Sequence, residues 1–226
     1  LVQKGYKVAI AEQMEDPKQA KGLVRREVIR VVTPGTLTSS QALDETKNNF
    51  LMGIVYMGDC FGIASCDITT GDFFVTEVKS ERELFDELAH FTPSEIVCND
   101  AFFMSGIDMD ELKNRCQAYL SSLDPRFFSD EGCRKVLKEH YRVASLEGLG
   151  LGVYPVGTIA AGAVMEYMYE TQKSDLSHIT AITPYSTGQF MVLDISTRRN
   201  LELLETLREK QKRGTLLWVL DKTKTA

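Results

Sequence analysis

The sequence predicts an α/β protein built around one mixed β-sheet. Two observations carry this. Three β-rich runs, at 50–57, 61–68 and 72–78, follow one another with only tight turns between them. Helical and strand-like patterns then alternate from Ser80 to Arg142.

Taken in order, residues 7–13 (KVAIAEQ) alternate as a strand. Asp16 stands at the cap of a short helix, with Pro17 at its first position and Gly22 at its end. Residues 24–32 (VRREVIRVV) form a second strand, closed by Thr33-Pro34-Gly35-Thr36 as a type II turn. Residues 37–48 are polar and aperiodic and read as a linker. In the unit that begins at Asn49, Gly58-Asp59 and Thr70-Gly71-Asp72 punctuate hairpins. Ser80-Glu81-Arg82-Glu83 has capping-box spacing and opens a helix with Leu84, Phe85, Leu88 and Phe91 on one face. A buried strand from Glu95 to Cys98, a helix near 108–115, an extended run near 116–123 and a helix near 130–142 follow. The resulting β-β-β-α-β-α-β-α order fits a ribonuclease-H-like sheet with helices on both faces.

From Pro155 the character changes. A helix over 155–173, a strand-like FMVLD over 190–194, a helix over 196–209 and a last helix from Leu216 make a mostly helical tail with little core of its own. Gly148-Leu149-Gly150-Leu151-Gly152 is expected to be a flexible joint before it. The division that follows is a partial α/β domain over 1–36, a linker over 37–48, the ribonuclease-H-like domain over 49–153, and a partial helical domain over 154–226.

Composition narrows the function. With 43% hydrophobic and 26% charged residues the chain can bury a core, and it has no run of about 20 apolar residues for a membrane span. It opens LVQKGYKVAIAEQ, with no initiator Met and no signal peptide, and it ends DKTKTA without a helix stop. An interior piece of a longer cytoplasmic protein is therefore expected. Five scattered cysteines lack a C-x-x-C pair and read as reduced core thiols, and three distant histidines give no metal-ligand spacing, so no metal site is expected. The net charge of −6 argues against a dedicated nucleic-acid clamp. It is unevenly spread: residues 1–36 carry seven Lys/Arg against four Asp/Glu, and the remainder nineteen against twenty-eight.

A ribonuclease-H-like order raises the alternative of a metal-dependent nuclease, which needs carboxylates on the central strands. The first strand, Phe50 to Tyr56, has none, and Asp67 and Asp72 lie at strand ends where turn residues belong. The glycine-rich stretch at 148–152 follows a helix where a dinucleotide loop would follow a strand, and no G-x-x-x-x-G-K-[ST] occurs. No catalytic residue is predicted. Two basic groups remain. On the second strand, alternation puts Arg26 and Arg30 on one face and Arg25 on the other, with Lys18 and Lys21 just before; on residues alone this suits a solvated edge. The helix at 130–142 buries Cys133, Val136, Leu137 and Tyr141 and displays Arg134, Lys135, Lys138 and Arg142, a surface suited to an acidic partner.

The runs Ala11-Glu12-Gln13, Asp16-Pro17, Lys21-Gly22, Val24-Arg25-Arg26 and Val31 to Thr36 resemble the end of the mismatch-recognition domain of the bacterial MutS family. Asp67-Ile68-Thr69-Thr70-Gly71-Asp72-Phe73 resembles that family's connector domain. Asp194 to Glu202 and Leu220-Asp221-Lys222-Thr223 resemble the start of its core and lever region. The motifs keep the family order along the whole chain. The resemblance implies a non-catalytic part that relays DNA-bound and nucleotide-bound states and helps dock MutL. It also implies that ATP and Mg bind elsewhere in the full-length homodimer, which holds mismatched duplex DNA. It makes Lys21, Arg25, Arg26 and Arg30 candidate phosphate contacts, and Arg134, Lys135 and Lys138 the candidate docking face.

The helix at 155–173 is apolar nearly all round, through Val156, Ile159, Ala160, Ala163, Val164 and Tyr167 on one side and Ala161, Met165, Met168 and Tyr169 on others. Leu201, Leu204 and Leu207 line the next helix. Both expect partners, so self-association through the region after Pro155 is a further expectation.

Overall fold

The structure is a computed structural model that describes residues 1–2, 6–14, 24–37, 48–189, 193 and 195–222. Strands β1 (Val8–Gln13) and β2 (Arg26–Val32) pair antiparallel as a separate ribbon. A six-stranded sheet holds β3 (Phe50–Met57), β4 (Cys60–Asp67), β5 (Phe73–Val78), β6 (Glu95–Cys98), β7 (Tyr119–Ser122) and β8 (Thr183–Pro184), in the order β7-β6-β3-β4-β5-β8. Strands β3 to β5 form an antiparallel meander, while β6 and β7 add in parallel beyond β3. This is the expected ribonuclease-H-like order, extended by β8 running parallel to β5. The helices are α1 (Glu81–Phe91), α2 (Met109–Arg115), α3 (Asp130–Tyr141), α4 (Pro155–Gln172), α5 (Ile195–Asn200) and α6 (Leu216–Leu220).

Local chemistry accounts for most of these elements. Gly58 and Asp59 both take φ of 58°, the left-handed pair that a two-residue hairpin needs. At α1, Ser80 Oγ accepts from the Glu83 backbone N–H and Glu83 Oε2 accepts from the Ser80 N–H, closing the capping box. Period-two alternation splits the sheet between two cores. Phe50, Met52, Ile54, Phe61 and Ile63 pack under α1 and Leu112 of α2. Leu51, Val55, Ala64, Cys66 and Val75 pack under α3 and α4. Because helices cover both faces, the central strands are apolar on both sides.

Helix α4 departs from expectation. It does not open a separate helical unit but lies across β3, β4 and β5 and against α3, with fourteen of its 18 residues buried. The approach is close: a Cβ on Gly62 of β4 would stand 2.4 Å from the Val156 carbonyl carbon, and one on Gly162 of α4 would stand 2.3 Å from Cys133 Cβ of α3. The boundary expected at 153/154 therefore cuts through a single core. The chain itself covers the apolar faces of α4, so the expected pairing of copies through this helix has no surface to use. What stays exposed after it is Leu201, Leu204 and Leu207, together with Leu216 to Leu220.

Other expectations are corrected in detail. The helix expected over 196–209 is only α5, and Glu202 beyond it turns left-handed at φ 46°. The carbonyls of Glu202 and Leu203 are taken by the N–H groups of Leu216 and Leu217, so the chain doubles back. Thr33 to Thr36 is a 3-10 turn over Pro34–Thr36, not a type II turn, and Gly35 has no positive φ. The stretch expected as a flexible joint is two 3-10 turns, Glu147–Leu149 and Leu151–Val153, with Leu151 buried in the core. Of the helix α3 residues expected inside, Cys133 and Leu137 are buried, and Val136 and Tyr141 only partly so. The Asp16 helix, Lys18, Lys21, all but residue 193 of the strand-like run at 190–194 and most of the 37–48 linker lie outside the described residues.

Candidate functional site

The basic ribbon and its junction with the sheet are where the sequence-predicted contacts meet the fold. Register along β1 and β2 pairs Ile10 with Arg30 and then Ala11 with Val28, so Ile29 is an extra, bulged residue. The bulge shifts the alternation by one. Arg26 and Arg30, expected on one face, therefore point to opposite faces of the ribbon, and Arg25 falls with Arg30. Arg26 is exposed, Arg25 is exposed and ion-paired with Glu27, and Arg30 is half-buried with its guanidinium donating to the Thr36 carbonyl at 3.1 Å. Of these arginines, Arg30 thus serves the junction, and Arg25 and Arg26 face solvent.

The ribbon rests on the last turns of α4. Lys173 Nζ donates to the Val28 carbonyl at 3.1 Å, and Lys7 Nζ lies 5.1 Å from the centre of the Tyr167 ring. Beneath it, the turn at Thr33 to Thr36 meets Glu95, a fully buried carboxylate on β6. Glu95 Oε2 accepts from Thr33 Oγ1 and, at 2.9 Å, from the Gly35 N–H. Its Oε1 accepts from the Tyr167 hydroxyl at 2.7 Å. Burial, then the Glu95 carboxylate, push the Tyr167 phenol well above the usual tyrosine range. Asn49 Nδ2 donates to the Pro34 carbonyl at 3.0 Å. Glu95 was not among the sequence candidates. The one available signal was a carboxylate inside an otherwise apolar four-residue strand.

At the other side of the sheet, Tyr185 leaves β8 and donates its hydroxyl to Glu87, a buried carboxylate of α1. Burial, then Glu87, hold this phenol high as well. Asp67, the residue on which a nuclease reading would rest, is also fully buried and engaged. Its Oδ2 accepts from the Asn49 N–H at 2.9 Å, and its Oδ1 from the N–H and hydroxyl of Thr69 at 2.8 and 2.6 Å. Asp72 accepts from the Thr70 hydroxyl. Among the described residues no group of three or more His, Cys, Asp and Glu is placed to hold a metal ion. The nuclease alternative finds no support. On α3, Arg134 pairs with Asp130 at 2.8 Å and Lys135 with Glu139 at 3.9 Å, while Lys138 forms no ion pair among the described residues. The basic face there is thus partly neutralised by its own helix.

Comparison with known proteins agrees with this layout. A family model described as MutS domain I matches residues 1–41, and one described as MutS domain II matches residues 49–180, a range that includes all of α4. Relatives called DNA mismatch repair protein MutS match over the whole chain. The one from Lachnoclostridium phytofermentans is 61% identical over 226 residues, which is 100% of this chain and 24% of the relative. Those from Acetivibrio thermocellus and Protochlamydia amoebophila are 47% and 42% identical, each again over 100% of this chain and 26% of the relative. The chain thus spans about a quarter of the length of the curated relatives it matches. The domain II match alone covers more than half of the 226 residues, and with it the chain belongs to the MutS family.

Proposed function

We propose that this chain is the connecting part of a DNA mismatch repair protein. In this reading it carries a DNA-facing ribbon on a rigid sheet domain, and relays the DNA-bound state toward the nucleotide-binding part without a chemical step of its own. One observation carries the reading: the arginine-bearing ribbon sits on the end of α4, the helix at the centre of the domain. Mismatched duplex DNA is held by the full-length homodimer in the cytoplasm, with the Arg26 face of the ribbon toward the phosphates. ATP and Mg belong to a different part of the full-length protein, since the residues present do not fit them: no phosphate-loop sequence occurs among the 226. MutL docks on the exposed face of α3, where Lys138 is the cation least engaged by its own helix.

The test uses the full-length protein. Arg26→Glu should weaken DNA binding for matched and mismatched duplexes alike and reduce the salt dependence by about one ion. In a pull-down, joint reversal of Arg134, Lys135 and Lys138 to Glu should weaken MutL capture while the melting temperature stays within a few degrees. Unchanged DNA affinity in the first variant would remove the ribbon from the DNA face. Unchanged capture in the second would move the docking surface off α3.

A further inference from the structure

We infer that Glu95 is the positioning residue that locks the ribbon to the sheet domain, so that the two turn as one body. A carboxylate with no solvent exposure, at the first position of a parallel strand whose other residues are buried and apolar, is costly to desolvate. Its strand neighbours Ile96, Val97 and Cys98 show that an apolar side chain suits this part of the core. Stability alone therefore does not account for Glu95. What it adds is direction. Each of its three hydrogen bonds has a preferred line of approach, whereas apolar contacts allow neighbouring surfaces to slide.

The three donors come from two elements remote in sequence, Thr33 and Gly35 at the base of the ribbon and Tyr167 on α4. Thr33 is itself held. Its hydroxyl gives its proton to Glu95 and accepts from Thr36 Oγ1 at 2.8 Å, and its N–H donates to the same Thr36 oxygen at 2.9 Å. Both threonines are fully buried. The carbonyls of the turn face inward too: Thr36 accepts from Arg30 and Gln172, and Pro34 from Asn49. The polar groups of this turn are thus spent on one arrangement, with Glu95 at its centre. The inference concerns coupling within the chain, and rests on the proposed function only for what that coupling serves.

Hydrogen exchange read by mass spectrometry on the 226-residue chain tests it. Glu95→Gln keeps the size but turns one acceptor oxygen into an N–H donor facing other donors. Expected is loss of protection by about tenfold in peptides covering 26–37, with peptides of β3 and β4 unchanged within about twofold. Tyr167→Phe removes one donor only and should give the same pattern at about threefold, which keeps the test decisive if the glutamine variant fails to fold. Equal loss across ribbon and sheet would mean that Glu95 is a general core stabiliser, and no loss at 26–37 would mean that it locks nothing. Either result overturns the inference. Because no DNA is present, its outcome is independent of whether the ribbon binds phosphates.

Discussion

Glu77, near the end of β5, accepts a 2.7 Å hydrogen bond from the backbone N–H of Val156 in the first turn of α4, and the Gly157 N–H reaches the same oxygen at 2.9 Å. Helix α4 has Tyr154 at its cap position, with no side-chain cap of its own. A carboxylate from another element thus satisfies two of the free N–H groups and meets the positive end of the helix. Glu77→Ala should lower stability by about 1–2 kcal/mol, and Glu77→Gln by less, since an amide oxygen still accepts. Urea unfolding checks this, with the midpoint shifted and the slope unchanged.

The crossing of α3 and α4 depends on Gly162. A methyl group there would overlap Cys133, since its Cβ would lie 2.3 Å from the cysteine Cβ and 2.5 Å from the Cα. Helix propensity favours alanine over glycine by about 1 kcal/mol, but the backbone contact cannot yield. Gly162→Ala should therefore destabilise the chain by about 2–3 kcal/mol, read as a lowered melting temperature.

Shortening the chain distinguishes a helix that belongs to the sheet from one that belongs to a tail. Truncation after residue 154 removes α4 and uncovers Leu51, Val55, Ala64 and Val75. It should give a molecule without cooperative unfolding or near-ultraviolet ellipticity. Truncation after residue 189 leaves β8 and the Tyr185–Glu87 contact in place, and should unfold cooperatively.

The buried thiols make stability fall in alkali. Cys98 and Cys133 are pushed from the ordinary 9.0 up to about 12, first by burial and then by nearby carboxylates, Asp100 and Glu166 respectively. Below pH 9 both folded and unfolded thiols keep their protons, and this contribution is fully present. Above it the unfolded chain loses protons that the folded chain retains, so stability declines as pH rises toward the folded values. Each thiol contributes a slope of about 1.4 kcal/mol per pH unit. Cys98→Ala should reduce the loss of unfolding free energy between pH 9 and 10 by about 1 kcal/mol relative to the unsubstituted chain, read by urea unfolding.

The elements that the sequence made legible are those whose cause is local. Gly58-Asp59 adopts a left-handed turn because few other pairs do so cheaply, and Ser80 with Glu83 closes its own cap within four residues. Leu84, Phe85, Leu88 and Phe91 are buried as their spacing requires. The order of strands follows from short connections, which leave few ways to join a meander to parallel crossovers. The family motifs are likewise stretches of contiguous sequence.

The remainder was decided by contacts between segments far apart in the chain. An all-round apolar helix such as α4 announces that it will be covered, but not by what, and here its own sheet and α3 cover it. One bulged residue, Ile29, reverses the faces of Arg26 and Arg30, because alternation carries no record of a skipped pairing on the partner strand. Glu95 looks in sequence like any acid at the start of a strand. It becomes the junction only when Thr33, Gly35 and Tyr167, at separations of 62, 60 and 72 residues, bring their donors to its two oxygens. Periodicity and turn chemistry act over a few residues and so can be read along the chain. The partner of a buried charge is set by the closing of the whole core, and appears only in three dimensions.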